Sequence, residues 1–435
     1  MLQIAAWEKP ALKAGRIYGA NLKPLVHQLP RLSCEICVIV PVRDEAENLE
    51  TTLLALTNQV DLNGQPLDKN RYEIIVLANN CSDHSAEIAR NFARSQPNLV
   101  LHVAEITLKC DRAHIGWVRK ILMDEAYRRF KSIGRDFGVI ASTDGDTRVA
   151  PTWLAATLAE IHGGADAVGG RIITESVERQ TLDNSTRLYF LRSVGYSYLI
   201  SQLEVYLDPD TFDLNPRHYQ HYGASLAVTA QMYAKVGGLP PLPSSEDVAL
   251  YQALMRFDAR FRHSPTVQVA TSARVLGRAK AGLADRLAEL KVMGQKHQSL
   301  LVESASLLEA RFRLRRHLRD LWQRKQQGIA VSPKLVIILA RFLDIDRDLL
   351  LELLMRSPTF GLLVEQIRYY QQNKQKFADN WQKVTIQQAI ADLRGMVKKF
   401  SKVNYCFLKQ QELEYILNLN SLEQIQPILL LPQSF

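Results

Sequence analysis

Residues 138–147 read Gly-Val-Ile-Ala-Ser-Thr-Asp-Gly-Asp-Thr, a short apolar run followed by two aspartates, Asp144 and Asp146, with one glycine between them. The apolar run is typical of a buried parallel strand, so the two carboxylates fall just beyond its carboxyl end. Open α/β sheets bind their ligands at that edge. Two carboxylates at this spacing can hold a hard divalent cation such as Mg²⁺ or Mn²⁺. Because Asp-Gly is also a common turn dipeptide, the stretch by itself leaves a solvated turn as the alternative.

The composition of the chain is that of a folded protein with more than one domain. Of its 435 residues, 47% are hydrophobic and 23% are charged, as is usual for a folded protein. This length is greater than that of one ordinary domain and suggests two domains. No apolar run is long enough to span a membrane, and the N-terminus lacks the apolar core of a signal peptide, so we expect a cytoplasmic protein. The one Cys-x-x-Cys pair, Cys34 and Cys37, has no second pair with which to complete a zinc site, and we favour neither a zinc site nor a redox site.

Positive charge is concentrated in the C-terminal part. Residues 1–275 hold 29 Lys and Arg against 30 Asp and Glu, whereas residues 276–435 hold 25 against 15. Such an excess is typical of a surface that faces an anionic membrane, an acidic partner or nucleic acid, and equally of a well-solvated helical surface. Residues 311–325 carry seven basic residues among apolar ones, a pattern typical of a basic amphipathic helix. We therefore expect peripheral contact with the inner face of a membrane through the basic C-terminal helices, and no nucleic-acid partner.

Strands and helices alternate at short spacing in the first part of the chain. Strands are predicted at 36–42, 73–78, 99–103 and 137–142, and helices at 85–95, 112–131 and 181–207, the last with its tyrosines in the core. This alternation predicts an α/β fold with a doubly wound, mostly parallel sheet. Glycine becomes rare beyond Arg274, and helical periodicity takes over. We predict an N-terminal arm over residues 1–30, an α/β domain over 31–275 and a basic, mainly α-helical domain over 276–435.

Polar segments recur where the predicted strands end. These segments are Val40-Pro41-Val42-Arg43-Asp44-Glu45, Asn79-Asn80-Cys81-Ser82-Asp83, the helical Gly116-Trp117-Val118-Arg119-Lys120, the Asp144-Gly145-Asp146 motif, and Glu246-Asp247. Their order and spacing over residues 34–275 resemble the family-2 glycosyltransferases, which use nucleotide sugars and have the GT-A fold. The resemblance does not extend to the C-terminal part.

The resemblance implies which residues bind the donor. The nucleoside would be held by Pro41, Arg43, Glu45 and Asn79. A UDP-sugar is favoured. Asn79 stands where the family more often has an aspartate facing uracil, and although its amide could still pair with a base edge, this departure leaves the identity of the base open. Basic residues would neutralise the diphosphate: Arg119 and Lys120 on the helix, with Arg274 and Arg278 in a segment that folds over it.

The resemblance also implies the metal and catalytic residues. Asp144 and Asp146 match the family's Asp-x-Asp motif and would hold Mn²⁺ or Mg²⁺ against the diphosphate. Asp144 would therefore also be one of the residues that bind the donor. A histidine in the position of His263 would complete the metal shell. Asp247 would be the general base that deprotonates an acceptor hydroxyl, and Glu246 would help to position the acceptor.

These inferences predict a metal-dependent, inverting and non-processive glycosyltransferase of carbohydrate biosynthesis, with a sugar, lipid or small-molecule acceptor. A retaining GT-A enzyme would share the Asp-x-Asp site and is an alternative. A nucleotidyltransferase is another, although the loop after the first strand lacks the glycines typical of that class. A protein of a different class would be a non-catalytic scaffold that binds a membrane or a partner through its basic helices and needs no sugar nucleotide.

Overall fold

The computed structural model describes residues 24–275, 277, 282–372, 383–402, 428 and 430. Most of the predicted N-terminal arm, residues 1–23, lies outside the described residues, as does Arg278. The chain divides into two compact units. Unit 1 comprises Met1–Asp183, Gln220–Leu254 and Ala259–Glu289, and unit 2 comprises Asn184–Tyr219, Met255–Asp258 and Leu290–Phe435.

Unit 1 is built on an eight-stranded sheet. Its strands are β1 Ile36–Val42, β2 Tyr72–Asn79, β3 Leu101–Ile106, β4 Val139–Ser142, β5 Thr147–Val149, β6 Ala167–Thr174, β7 Leu226–Thr229 and β8 Phe261–Thr271. They lie in the order β3-β2-β1-β4-β7-β6-β8-β5. The pairs among β3, β2, β1 and β4 are parallel, as is the pair of β6 and β8. The predicted α/β fold with a mostly parallel sheet is confirmed.

The helices are labelled in chain order. They are α1 Leu49–Thr57, α2 Ser85–Ser95, α3 Ile115–Ser132, α4 Trp153–His162, α5 Ser176–Thr181, α6 Asn184–Leu207, α7 Ala230–Lys235, α8 Glu246–Arg256, α9 Leu283–Gln295, α10 Ala305–Gln326, α11 Pro333–Leu343, α12 Arg347–Arg356, α13 Phe360–Gln372 and α14 Ile386–Phe400. A short two-stranded sheet joins β9 Leu301–Val302 to β10 Val384–Thr385.

Burial of the central strands gathers the polar loops at one edge of the sheet. All residues of β1, β2 and β4 are buried, which suits their aliphatic and β-branched side chains. β1 pairs in parallel with both β2 and β4, from Ile36 beside Tyr72 and Val139 onward. The carboxyl ends of the three strands therefore lie at the same edge, and the loops that follow them meet there.

A buried ion pair ties α3 to the sheet of unit 1. Arg129 on α3 donates from Nε to Glu73 on β2 over 2.7 Å, and the side chains of both residues are almost fully buried. Burial by itself would raise the pKa of the Glu73 carboxyl, but hydrogen bonds from Arg129 and His102 outweigh it and lower this pKa to about 2. A pair of this kind is costly to break, because the remaining partner is left as an uncompensated buried charge.

Unit 2 is mainly helical, as predicted for the C-terminal part. One apolar cluster lies around α10 to α13, with Leu318, Leu339 and Leu354 fully buried. A second cluster joins residues of α6, α10 and α14 and includes Leu203 and Leu393. In the described part of the chain, none of the helices combines the length and the apolar character needed to cross a bilayer.

Several basic side chains of the predicted amphipathic helix at residues 311–325 lie inside unit 2. The segment is helical as predicted, but Arg311, Arg313 and Arg316 are buried, at 2%, 6% and 5% exposure. Arg315 forms ion pairs with two carboxylates, that of Glu204 on α6 and that of Asp208, the residue after this helix. Helix α10 is therefore a central element of unit 2 whose arginines neutralise its internal acids.

Candidate active site

The Asp-x-Asp segment lies in the loop between β4 and β5. The hydroxyl of Thr52 donates to the carbonyl oxygen of Gly145 over 3.0 Å and holds the loop against α1. A Cβ at Gly145 would lie 3.2 Å from Cγ of Glu45 and 3.3 Å from a methyl group of Val42, so the loop of β1 packs closely on this glycine. The predicted position of the two aspartates, just beyond a buried strand, is thus what the structure shows.

Arg119 joins the first aspartate to the acidic pair of α8. Its Nη2 donates to Oδ1 of Asp144 over 2.6 Å, and its Nη1 forms a short ion pair with Glu246. The guanidinium is buried, and its Nε has no hydrogen-bond partner within the described residues. Gly223 leaves room for this arrangement, since a Cβ there would lie 2.5 Å from each Nη atom of Arg119.

Arg274 holds the second aspartate in the same way. Its two Nη atoms donate to the two carboxylate oxygens of Glu45 over 3.0 and 2.7 Å, and Nη2 lies 2.9 Å from Oδ2 of Asp146. Each aspartate of the motif therefore has its own arginine, one from α3 and the other from the segment after β8. Sequence reasoning placed Arg274 near the diphosphate but did not identify Glu45 as its partner.

Asp247 is fixed at the start of α8. Its Oδ2 accepts a hydrogen bond from the backbone N–H of Gly223 over 2.7 Å, and its Oδ1 accepts from the backbone N–H of Val248 over 2.7 Å. Its negative charge contributes to the raised pKa of Asp144. The predicted base, Asp247, is therefore close enough to the predicted metal ligand, Asp144, for its charge to affect the pKa of Asp144. The sequence did not identify Gly223 as a site residue, because a single glycine before a strand does not indicate a hydrogen bond to a distant carboxylate.

The two aspartates of the motif carry negative charge that their arginine partners only partly balance. Burial raises the pKa of the Asp144 carboxyl, and Arg119 only partly opposes this. Burial and the charge of Asp144 together raise the pKa of Asp146 to about 6, against the opposing effect of Arg274. A third of the Asp144 side chain and 15% of that of Asp146 remain exposed. The raised pKa values mean that the ionised carboxylates are destabilised, so a further positive charge would stabilise them. Both carboxylates are accessible and offer the oxygen ligands that a hard divalent cation prefers.

The residues predicted to bind the nucleoside lie at the ends of β1 and β2. Pro41 is buried within β1, and Glu45 is buried in the loop that follows. Arg43 is exposed and donates from Nη1 to the carbonyl oxygen of Ala113 over 3.0 Å. Asn79, 2% exposed, has a buried Oδ1 with no hydrogen-bond partner in the described part of the chain. An acceptor left unpaired in this way is costly, and an N–H group of a bound base would satisfy it.

Lys120 and His263 have contacts of other kinds. The ammonium group of Lys120 lies 3.0 Å from Asp124, which accepts a hydrogen bond from the hydroxyl of Tyr233. The ring of His263 packs among those of Phe261, Tyr251 and His221, at centroid distances of 4.7, 5.9 and 6.0 Å. The roles predicted for Lys120 at the diphosphate and for His263 at the metal stay predictions.

The sheet register separates His263 from the aspartates along β8. His263 lies beside Gly169 of β6, whereas Thr271 lies beside both Thr174 of β6 and Thr147 of β5. From Gly169 to Thr174 is five strand positions, about 16 Å at the usual rise. Arg274, three residues beyond Thr271, contacts Asp146.

A second acidic cluster lies at the same edge of the sheet but is used by the loops themselves. Ligand atoms of Asp44, Cys81 and Asp83 lie within 4.8 Å of one another. Asp44 accepts from the backbone N–H of Ser82 over 2.6 Å, and Asp83 accepts from the N–H groups of Ser85 and Ala46 over 3.0 Å each. These bonds fasten the loop after β1 to the loop after β2.

Residues 37–211 match the family model described as Glycosyl transferase family 2. The matched segment has 175 of the 435 residues and is therefore less than half of the chain. The Asp-x-Asp motif lies inside the matched segment, and Glu246 and Asp247 follow it in the same unit. The match agrees with the glycosyltransferase that the sequence predicted.

Similar proteins include a curated relative and several solved structures. Glycosyltransferase AglE of Haloferax volcanii is 30% identical over 138 residues, which cover 32% of this chain and 39% of that protein. This chain thus spans about two fifths of the relative's length. A mannosyltransferase of Pyrobaculum calidifontis, solved with GDP-Man and Mn²⁺, is 15% identical with a TM-score of 0.38, covering 93% of this chain and 90% of the other. S. aureus TarS 1–349, solved with UDP-GlcNAc, is 16% identical with a TM-score of 0.40, covering 78% and 92%.

Proposed function

We propose that this protein transfers a sugar from a nucleoside-diphosphate sugar to an acceptor hydroxyl, with inversion and without processive extension. The observation that carries the proposal is the link made by Arg119 between Asp144 of the Asp-x-Asp motif and Glu246, which immediately precedes Asp247. One network thus contains a candidate metal-binding carboxylate, a buried guanidinium and a candidate base. A scaffold that only binds a partner has no need for this combination.

Asp247 acts as the general base of the proposed reaction. Its carboxylate takes the proton of the acceptor hydroxyl while that oxygen forms a bond to the anomeric carbon of the donor. The bond from the anomeric carbon to the diphosphate breaks, and the nucleoside diphosphate leaves with the electron pair. The hydrogen bond from the Gly223 N–H to Oδ2 of Asp247 keeps the base oriented. Attack from the face opposite the diphosphate gives inversion.

The leaving diphosphate is stabilised by positive charge on the other side of the reacting carbon. Asp144 and Asp146 would hold Mn²⁺ or Mg²⁺, which when bound supplies Lewis-acid stabilisation of the diphosphate oxygens. Arg119 donates toward the same group from the unpaired Nε, because a guanidinium carries five N–H donors and only some are engaged by Asp144 and Glu246. Asn79, with an amide that both donates and accepts, reads the base. UDP is the favoured carrier.

The acceptor is proposed to be a sugar, a lipid or a small molecule that bears a free hydroxyl. A lipid acceptor would require this protein to contact a bilayer. Helix α10 offers few accessible cations for such contact, because Arg311, Arg313 and Arg316 are buried within unit 2. A membrane-binding surface therefore has to be sought elsewhere on that unit.

Calorimetric titration of UDP, GDP and their sugars, with Mn²⁺ and with a chelator, tests the proposed donor and metal. We expect one nucleotide to bind in a metal-dependent way, and the double variant Asp144→Ala, Asp146→Ala to lose that binding. The matched control is Asp392→Asn, an exposed carboxylate on α14, which should bind as the wild type does. Absence of nucleotide binding in a correctly folded sample would overturn the assignment and favour the scaffold.

Turnover separates the proposed reaction from its rivals. Asp247→Asn should keep nucleotide affinity within about twofold while lowering kcat by about 10²–10⁴, the usual contribution of a general base. Proton NMR of the first product shows whether the anomeric configuration is inverted or retained. Release of pyrophosphate in place of a nucleoside diphosphate would identify a nucleotidyltransferase. An Asp247→Asn variant with unchanged kcat would remove Asp247 from the mechanism.

A further inference from the structure

Helix α6 exposes a row of apolar side chains. Leu188, Leu191, Val194 and Tyr198 are 47%, 48%, 36% and 49% exposed, and we call these four residues the α6 stripe. Their spacing of three, three and four residues places them within about 120° of arc on one side of the helix. Gly195 falls in the same arc, and a Cβ there would meet nothing within 4 Å. The stripe is about 15 Å long at the usual helical rise.

The exposed residues of the α6 stripe are not part of the apolar core of unit 2. The other side of α6 supplies the buried residues, among them Tyr196, Leu203 and Leu207, which belong to the apolar cluster shared with α10 and α14. The expectation that the tyrosines of this helix are core holds for Tyr196, at 2% exposure, but not for Tyr198. Helix α6 is therefore apolar on two sides, and the described residues of the chain cover only one of them.

The charged residues of α6 beside the stripe are both positive. Arg187 and Arg192 lie next to Leu188 and Leu191 in the sequence, and the α6 sequence has no acidic residue before Glu204. Arg187 donates to the side chain of Asn184, and neither arginine forms an ion pair with a carboxylate in the part of the chain that the structure describes. The stripe is thus an apolar face flanked by cations without counter-ions.

A third cation lies near the start of the stripe. Gly294 of α9 packs against α6, since a Cβ there would lie 2.9 Å from Cβ of Ser185. Lys296 follows two residues later and is exposed. An apolar row with cations at its side and at its beginning is the pattern of helices that lie in the interface of an anionic membrane.

We infer that the α6 stripe binds the surface of an anionic lipid bilayer. The stripe would lie in the plane of the headgroups with its four apolar side chains at the acyl boundary, while Arg187 and Arg192 contact lipid phosphates. This surface lies entirely within unit 2 and does not depend on the transferase activity. It also replaces α10 as the basic helix expected to contact a membrane.

Charge distinguishes a bilayer from a second copy of the chain. In a two-fold dimer the same patch meets itself, so Arg187 and Arg192 of both copies would be brought together beside a small apolar contact. Like charges placed opposite each other weaken such an interface. Anionic headgroups neutralise the same arginines and leave the apolar residues free to insert. The bilayer is therefore the occupant that these charges favour.

Sedimentation with vesicles tests the inference on the full chain. We expect binding to vesicles of phosphatidylcholine and phosphatidylglycerol at 70:30, weaker binding to pure phosphatidylcholine, and loss of the difference at high salt. The double variant Leu191→Ser, Val194→Ser should bind at least about tenfold more weakly, because half-exposed aliphatic groups no longer insert. Arg187→Gln with Arg192→Gln should weaken binding by about 25-fold, near fivefold for each cation.

Matched controls keep the result specific to the stripe. Met355→Ser changes another exposed apolar residue of unit 2, at 64% exposure, and Arg324→Gln changes an exposed cation on α10. Both should bind vesicles as the wild type does, and circular dichroism should show every variant folded. The inference is overturned if the wild type does not bind anionic vesicles, or if the stripe variants bind as tightly as the controls. Analytical ultracentrifugation that shows a dimer abolished by Leu191→Ser, Val194→Ser would overturn it in favour of a second copy.

Discussion

Replacing Gly223 by alanine tests whether the bridge made by Arg119 is needed for activity. A Cβ at Gly223 would lie 2.5 Å from each Nη atom of Arg119, where ordinary contact begins at 3.4 Å. The guanidinium would have to retreat by about 0.9 Å. The bond from its Nη2 to Asp144, now 2.6 Å, would lengthen to about 3.5 Å, which is no longer a hydrogen bond of useful strength.

The expected loss follows from the bond that this displacement breaks. A hydrogen bond between charged groups is worth about 1.5–3 kcal/mol, so kcat/KM should fall about ten- to hundredfold. The assay is release of the nucleoside diphosphate from the donor identified by calorimetry, with Mn²⁺ present. Gly395→Ala is the matched control, because Gly395 lies in α14 and a Cβ there meets nothing within 4 Å. A folded Gly223→Ala protein whose kcat/KM stays within twofold of the wild type would refute the reasoning.

Two further predictions concern ion pairs. Arg274→Gln removes the cation that neutralises Glu45 and Asp146, so Mn²⁺ should bind about tenfold more tightly in the absence of nucleotide; weaker binding in a calorimetric titration would contradict this. The pKa of Glu73 is about 2 in the folded protein and 4.5 for a free carboxyl. The ionised Glu73 carboxylate, with its partners Arg129 and His102, therefore contributes about 3 kcal/mol to the free energy of unfolding above pH 4.5, and this contribution is lost as the pH falls from 4.5 to 2. Urea unfolding at pH 7 and pH 3 should therefore show wild type losing more stability than Glu73→Gln, and equal losses would exclude this role.

The local elements of unit 1 were predictable because their signals are local. The strand predicted at 36–42 is β1 and the helix predicted at 85–95 is α2, each with the same bounds. A continuous run of β-branched residues and an amphipathic repeat each identify their element without reference to the rest of the chain. The position of Asp144 and Asp146 beyond β4 follows from the same kind of signal.

The pairing of distant strands was not predictable in this way. β7 lies antiparallel between β4 and β6, so the chain returns to the middle of the sheet after α6. Nothing in the four residues of β7 specifies these neighbours. The contact of Arg274 with Glu45 spans 229 residues, and no short-range pattern indicates it. The charge excess of residues 276–435 suggested a basic surface on α10 for the same reason. Its Arg315 in fact pairs with Glu204 and Asp208, which lie about a hundred residues earlier in the chain.

Arg119 shows how one residue can serve both the fold and the proposed reaction. Its Nη1 and Nη2 are engaged by Glu246 and Asp144, which fixes the start of α8 relative to the Asp-x-Asp loop. Its buried Nε has no hydrogen-bond partner within the described residues, and an unpaired buried donor on a charged group is costly. A diphosphate oxygen would satisfy Nε while the bonds to both carboxylates stay in place. A lysine has no such planar fork of donors, so the same charge on a lysine could not hold three partners in this geometry.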